Sequence, residues 1–220
     1  MMKFKTADLM IVLILAAPFA YLLLCYESLP DRIAIHWEAN GKPNDWTEKS
    51  RSWLTLLFTS SLAFVSYLIF RFITILDPKK LAFLSAEIFH KIGFATVVFI
   101  ASLNLMILYG STSESMAFGK MGLILASLLL AFLGNLMYNL KPNYFFGIRT
   151  PWALEDETNW RLTHRLASKL WLGGGILSAI LIFAFPQSAA FTIFISSILI
   201  LVIIPIAYSF SIFKKTKVSQ

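Results

Sequence analysis

The chain has 220 residues, 58% of them hydrophobic and only 14% charged, with a mean hydropathy of +0.72. Soluble domains carry about 25% charged residues, so a soluble globular domain is excluded, and one Cys with 10 Gly excludes a disulfide scaffold and a collagen repeat. What remains is an all-α polytopic membrane protein, whose net charge of +7 reads as positive-inside topology rather than nucleic-acid affinity.

At about 20 apolar residues per crossing, this length allows about six crossings and no separate soluble domain. The first stretch without Asp, Glu, Lys or Arg covers residues 9–26. Lys3 and Lys5 before it, and Ala16, Ala17 and Ala20 inside it, could suggest a cleaved signal segment. The apolar run continues past those alanines and five more follow, so the sequence predicts an uncleaved first helix. Cys25 reads as a small apolar residue of that helix, since Leu24 is too large to precede a lipid-anchored cysteine.

The second crossing is expected at 52–70. After it, Asp77-Pro78-Lys79-Lys80 reads as a turn, and 81–91 as a short interfacial helix. The third and fourth crossings are expected at 92–113 and 121–140. The uncharged run 170–213 is too long for one crossing. Pro186-Gln187-Ser188 divides it, because Pro removes a backbone donor and Gln is costly in hydrocarbon, which gives crossings at 168–185 and 189–213. Asn104, Asn135 and Asn139 are expected to bond between helices. No Asp or Glu falls in the middle of a crossing, which argues against a proton-coupled transporter.

With both termini cytoplasmic, fourteen Lys and Arg fall inside and five outside, so that orientation is expected. Two long loops then carry the informative residues, one external at 28–51 and one cytoplasmic at 141–169. The organisation reads as an N-terminal membrane domain at 1–75 and a second at 76–220, packed as one unit. The halves share a pattern of crossing, long loop and two crossings, but no residue match supports an inverted repeat.

In the external loop, Ile33 and Ile35 alternate with Arg32, Ala34 and His36, which suits a short strand, and Asn40-Gly41 marks a turn. Trp37 and Trp46 suit the lipid interface. In the cytoplasmic loop, Thr150-Pro151 reads as an N-cap followed by Pro at the first helical position, and Glu155–Glu157 as an acidic helix start. At 3.6 residues per turn, Arg161, Arg165 and Lys169 form one stripe, with Trp160, His164 and Trp171 beside it. Such a helix rests on anionic lipid headgroups or docks an anion or a protein, with Arg149 brought in from the loop and Gly147 keeping the backbone tight. No nucleophile elbow, phosphate-binding glycine loop or paired-cysteine site is present, so no enzyme, cofactor or metal is expected.

The string Asn143-Tyr144-Phe145-Phe146-Gly147-Ile148-Arg149-Thr150-Pro151-Trp152, followed by Asn159-Trp160, His164-Arg165 and Lys169-Leu170, resembles the signature of the SdpI family. Upstream, Leu29-Pro30-Asp31-Arg32, His36-Trp37 and Gly41 resemble a small membrane domain of unknown function often joined to it. The resemblance spans about residues 10–212. It implies a multi-pass protein of the bacterial inner membrane that protects the cell from a secreted toxin peptide acting on the proton-motive force. It also implies sensing of that peptide and sequestration of a cytoplasmic transcriptional repressor, with no direct contact to nucleic acid. The functional residues it implies are Asn143, Gly147, Arg149, Thr150, Pro151, Trp152, Trp160, His164, Arg165 and Lys169 inside, and Pro30, Asp31, His36, Trp37 and Gly41 outside. The alternative is a transporter or lipid-handling protein whose cytoplasmic Arg, His and Lys bind a phosphate headgroup.

Overall fold

A computed structural model of the chain describes residues 6–76, 85–112 and 118–218. The first helix, α1, is Thr6–Cys25. A hairpin of β1 (Arg32–Trp37) and β2 (Pro43–Glu48) follows, then α2 (Ser52–Leu76), α3 (Ala86–Ser111), α4 (Phe118–Met137), the short α5 (Pro151–Glu155), α6 (Glu157–Ala184) and α7 (Gln187–Val218). Six of these helices are long and apolar enough to cross a membrane. Apolar side chains such as Leu24, Phe58, Ile75 and Phe183 stand exposed on their outer faces, as a hydrocarbon solvent requires.

The division at 186–188 holds, with α6 ending at Ala184 and α7 starting at Gln187. Residues 86–91 are the opening turns of α3 and not a separate interfacial helix, while 77–84 lie outside the described residues. β1 is the strand its sequence suggested, with Ile33 buried and Arg32 and His36 exposed, though Ala34 and Ile35 are both half-buried. Its partner β2 was not foreseen, because Pro43-Asn44-Asp45-Trp46-Thr47-Glu48 is polar and almost wholly exposed. The antiparallel register pairs Ile33 with Thr47 and Ala34 with Trp46, with irregularities around His36.

Two helix groups pack side by side. In the first, α3 lies against α1 and α2; in the second, α6 lies against α4 and α7, and α3 meets α4 between them. Without a hydrophobic force between helices in lipid, close backbone approach must supply the packing, and it needs small residues. The α4–α6 crossing has them. A Cβ on Gly175 would come within 2.7 Å of Ala131 N and Ser127 O, and one on Gly134 within 2.4 Å of Trp171 Cβ. Ser127 and Ser178 bond across the same seam at 3.2 Å. Asn104 donates to Thr59 at 3.0 Å and so joins α3 to α2, whereas Asn135 and Asn139 are exposed and, among the described residues, make no interhelical bond of that kind.

Pro205 inside α7 has no N–H for the carbonyl of Leu201. The Trp171 indole of α6 donates to that carbonyl at 2.8 Å, so the defect becomes a helix–helix bond. Lys120 caps α6 in a similar way, its ammonium donating to the carbonyls of Phe183 (2.7 Å) and Phe185 (2.8 Å).

Among the described residues, one ion pair is buried. Asp8 of α1 meets Arg71 of α2 at 2.9 Å, with side chains 9% and 12% exposed, and the Tyr67 hydroxyl donates to the same carboxylate at 2.6 Å. Removing one partner of such a pair leaves an uncompensated charge, which costs about 3–5 kcal/mol. Asp8→Ala is therefore expected to lower unfolding stability in detergent by about 3 kcal/mol, and Asp8→Ala with Arg71→Met to recover much of it. Thermal and denaturant unfolding followed by tryptophan fluorescence checks this; an unchanged midpoint for Asp8→Ala contradicts it.

Candidate functional site

The loop between α4 and α5 is irregular backbone at one end of the helix bundle, and its polar groups need partners. Side chains supply them. Asn143 is fully buried, accepts from the N–H groups of Phe145 (2.9 Å) and Phe146 (2.8 Å), and donates to Lys141 O (2.9 Å). The result is an Asx turn that folds the loop on itself. Trp160, 1% exposed, donates its indole N–H to Leu140 O at 2.8 Å.

His164 takes the next group. Its Nε2 accepts from the Ile148 N–H at 2.9 Å, and its Nδ1 lies 2.8 Å from Trp160 O. Both bonds are satisfied by one neutral tautomer with the proton on Nδ1, an assignment made from this geometry. The ring stacks on Trp160 at 3.9 Å. Gly147 comes so close that a Cβ there would fall 2.3 Å from Nε2, and its φ of +109° is one that glycine tolerates. Trp160 and His164 thus face inward and hold the loop, while Arg161, Arg165 and Lys169 form an exposed stripe beside them on α6.

A second knot ties the loop to α7. Ser209, fully buried, donates to Asn159 Oδ1 at 2.7 Å and accepts from the Trp152 indole at 3.0 Å. Asn159 Nδ2 returns a bond to Ser209 O at 3.0 Å, and Thr163 donates to Asn159 Oδ1 at 3.0 Å. Thr150 sits at the N-cap of α5 without a side-chain cap bond, its hydroxyl lying 3.4 Å from Ser209 Oγ instead; Pro151 opens the helix. Asp156 caps α6 by accepting from the N–H groups of Thr158 (2.7 Å) and Asn159 (3.2 Å). Trp152 packs on Phe210 and Phe213. Ser209 escaped the sequence reading because it is one of two small serines, with Ser211, in an apolar run; Asn159 had no role assigned to it.

Arg149 is different. It is exposed, donates to Tyr144 O, and borders a cleft of about 570 Å³ whose far wall is Trp171, Val202 and Ile206. A guanidinium with no ion-pair partner among the described residues, beside an apolar wall, can meet an acidic or amphiphilic partner.

At the opposite end, the hairpin roofs a mostly apolar cleft of about 350 Å³ between α3, α4 and α7, walled by Phe99, Leu103, Met106 and Phe191. The turn at Gly41 (φ +81°) presses on the starts of α4 and α7: a Cβ there would fall 2.1 Å from Gln187 Nε2, and Gly119 packs against the Gly41 Cα. Gln187 Oε1 is buried without a hydrogen-bond partner among the described residues. Trp37 and Ile35 line the cleft, and His36 lines it too while bonding Asn44 at 2.6 Å. Pro30 and Asp31 are exposed, and the Asp31 carbonyl accepts from Lys49 N at 2.8 Å. The two sets of expected residues therefore stand at opposite ends of the bundle. Among the described residues, no three of His, Cys, Asp and Glu come together as metal ligands.

Residues 139–209 match the model of the SdpI/YfhL protein family, and residues 13–59 that of a domain of unknown function, DUF1648. The chain is 29% identical over 218 residues to the Immunity protein SdpI of Bacillus subtilis (strain 168), covering 95% of this chain and 97% of that protein. No solved structure matches. With six helices able to cross a bilayer, this similarity makes the chain a multi-pass protein of the bacterial inner membrane.

Gly147→Ala forces a Cβ into a positive-φ position and against His164. It is expected to destabilise by about 2 kcal/mol and to make the Ile148 amide exchange faster, with the α4–α6 seam intact. Thermal unfolding and amide exchange check it; unchanged stability and exchange contradict the clasp.

Proposed function

We propose that this chain, an SdpI/YfhL-type region behind a DUF1648 region, protects its cell against a secreted membrane-depolarising peptide. The observation that carries the reading is the end-to-end similarity to an immunity protein, which includes both loops and all six long helices.

The distribution of Lys and Arg supports an orientation with the hairpin outside and both termini inside. In that orientation the peptide arrives at the hairpin end. The apolar cleft under β1 suits an apolar peptide segment, and the unpartnered Gln187 carbonyl suits one N–H donor from it. The motif end faces the cytoplasm. Its rigid backbone displays Arg149, and α6 displays Lys169, to a cytoplasmic partner, which in the sensing version of this reading is a transcriptional repressor. A single helix, α7, carries Gln187 at the hairpin end and Ser209 at the motif end, so a shift at the first can reach the second.

The test is membrane potential, followed with a voltage-sensitive dye in sensitive cells after adding the depolarising peptide. Cells with the wild-type chain are expected to keep their potential. Cells with Arg149→Ala at equal abundance are expected to depolarise at a peptide concentration at least about tenfold lower, the effect of losing one charge-assisted contact of about 1.4 kcal/mol. Full protection by Arg149→Ala removes Arg149 from the mechanism, and depolarisation with the wild-type chain contradicts the immunity reading.

A further inference from the structure

A second cleft on α6 shares no residue with the one beside Arg149. It is small, about 130 Å³, and lies between the end of α4 and the first turns of α6. Three cations line it, Lys141, Arg161 and Arg165, against one carboxylate, Glu157. Among the described residues none of these four has an ion-pair partner within 4.0 Å. Arg161 and Arg165 stand one turn apart, a spacing at which like charges repel, and Lys141 converges on them from the loop. The cleft lining therefore carries a local excess of two positive charges that no other described residue neutralises.

Two of the cations have anchors. The Arg165 guanidinium lies 5.3 Å over the Tyr138 ring, which fixes it at the rim. Lys141 follows Leu140, whose carbonyl is tied to the Trp160 indole, and the Lys141 N–H itself donates to Ser85 Oγ at 3.1 Å. Trp160 lines the cleft and is buried, so its wall is rigid and apolar. Two guanidiniums and an ammonium around a pocket of this size match the oxygens of one phosphate group, with room for little else. The depth fits as well. The cleft sits where the apolar stretch of α4 ends and before that of α6 begins at Leu170, which is the level of lipid headgroups.

We propose that this cleft binds a single phosphate group, and that in the membrane the group belongs to an anionic phospholipid. The proposal does not depend on the immunity reading.

The test uses the full chain, purified in a neutral detergent and stripped of lipid. Its thermal midpoint is followed while a short-chain phosphatidylglycerol, the matching diacylglycerol without phosphate, or inorganic phosphate is added at constant ionic strength. Phosphatidylglycerol is expected to raise the midpoint saturably, and the diacylglycerol to leave it unchanged. For Arg161→Gln with Arg165→Gln, the half-saturating concentration is expected to rise at least tenfold, and Lys141→Gln is expected to act in the same direction. Lys214→Gln with Lys217→Gln, which removes cations at the same end outside the cleft, is expected to match the wild type. Each variant's midpoint without additive reports whether it folds. Equal shifts in the wild type and the double variant, or no saturable shift with either phosphate probe, would overturn the site. A shift with inorganic phosphate as large as with phosphatidylglycerol keeps the site and overturns the lipid as its source.

Discussion

Irregular backbone at the edge of a bilayer has few water molecules to bond and no sheet or helix to join, so every N–H and C=O in it must find a side chain. The loop that joins α4 to α5 meets this constraint through its own Asn143, through Ser85 and through α6, while α7 ties down the helix that follows it. Asn143 folds the loop, Trp160 takes Leu140 O, His164 takes the Ile148 N–H, and the Asn159–Ser209 pair takes Trp152 and lies within reach of Thr150. Each of those partners is buried, and a buried polar group left unpaired costs about 1–3 kcal/mol, so the set stands or falls together. That is why a string of polar and aromatic residues forms one rigid piece.

Rigidity sorts the motif into two kinds of residue. Asn143, Gly147, Trp160 and His164 hold the shape. Arg149, Arg165 and Lys169 project from it. The histidine is the residue whose role changes most, because its two ring nitrogens are both engaged with backbone. The cations then divide between two clefts, Arg149 beside Trp171 and α7, and Lys141 with Arg161 and Arg165 on the other side of α6. One helix, α6, thus borders two separate charged surfaces at the same end of the molecule, while the apolar cleft under the hairpin occupies the other end.

Much of the architecture was legible because lipid imposes a simple rule: long uncharged windows are crossings. The six windows, the break at Pro186 and the hairpin turn at Gly41 all follow from that rule and from turn chemistry. The exposed stripe of Arg161, Arg165 and Lys169 follows from helical period. What stayed hidden depends on contacts between distant positions. Asp8 and Arg71 each sit at the fringe of a window and read as ordinary flanking charges until the fold brings α1 and α2 together. Ser209 looks like a tolerated small residue in an apolar helix, yet it joins Asn159 and Trp152. Period alone also set Trp160 and His164 beside the basic stripe without saying that they face inward; burial against the loop decides that. Local charge misled at 86–91, where Glu87 and Lys91 pair on the first turns of α3.

The claim on which the rest turns is that His164 acts as a fixed acceptor that locks the motif loop. Amide exchange at single-residue resolution, on the protein in lipid nanodiscs, tests it most directly. The Ile148 N–H is predicted to exchange about tenfold or more slowly in the wild type than in His164→Ala, as the loss of one hydrogen bond of about 1.4 kcal/mol requires. The Phe145 and Phe146 amides, held by Asn143, are predicted to keep most of their protection in both. Equal, fast exchange of Ile148 in the two proteins would contradict the account.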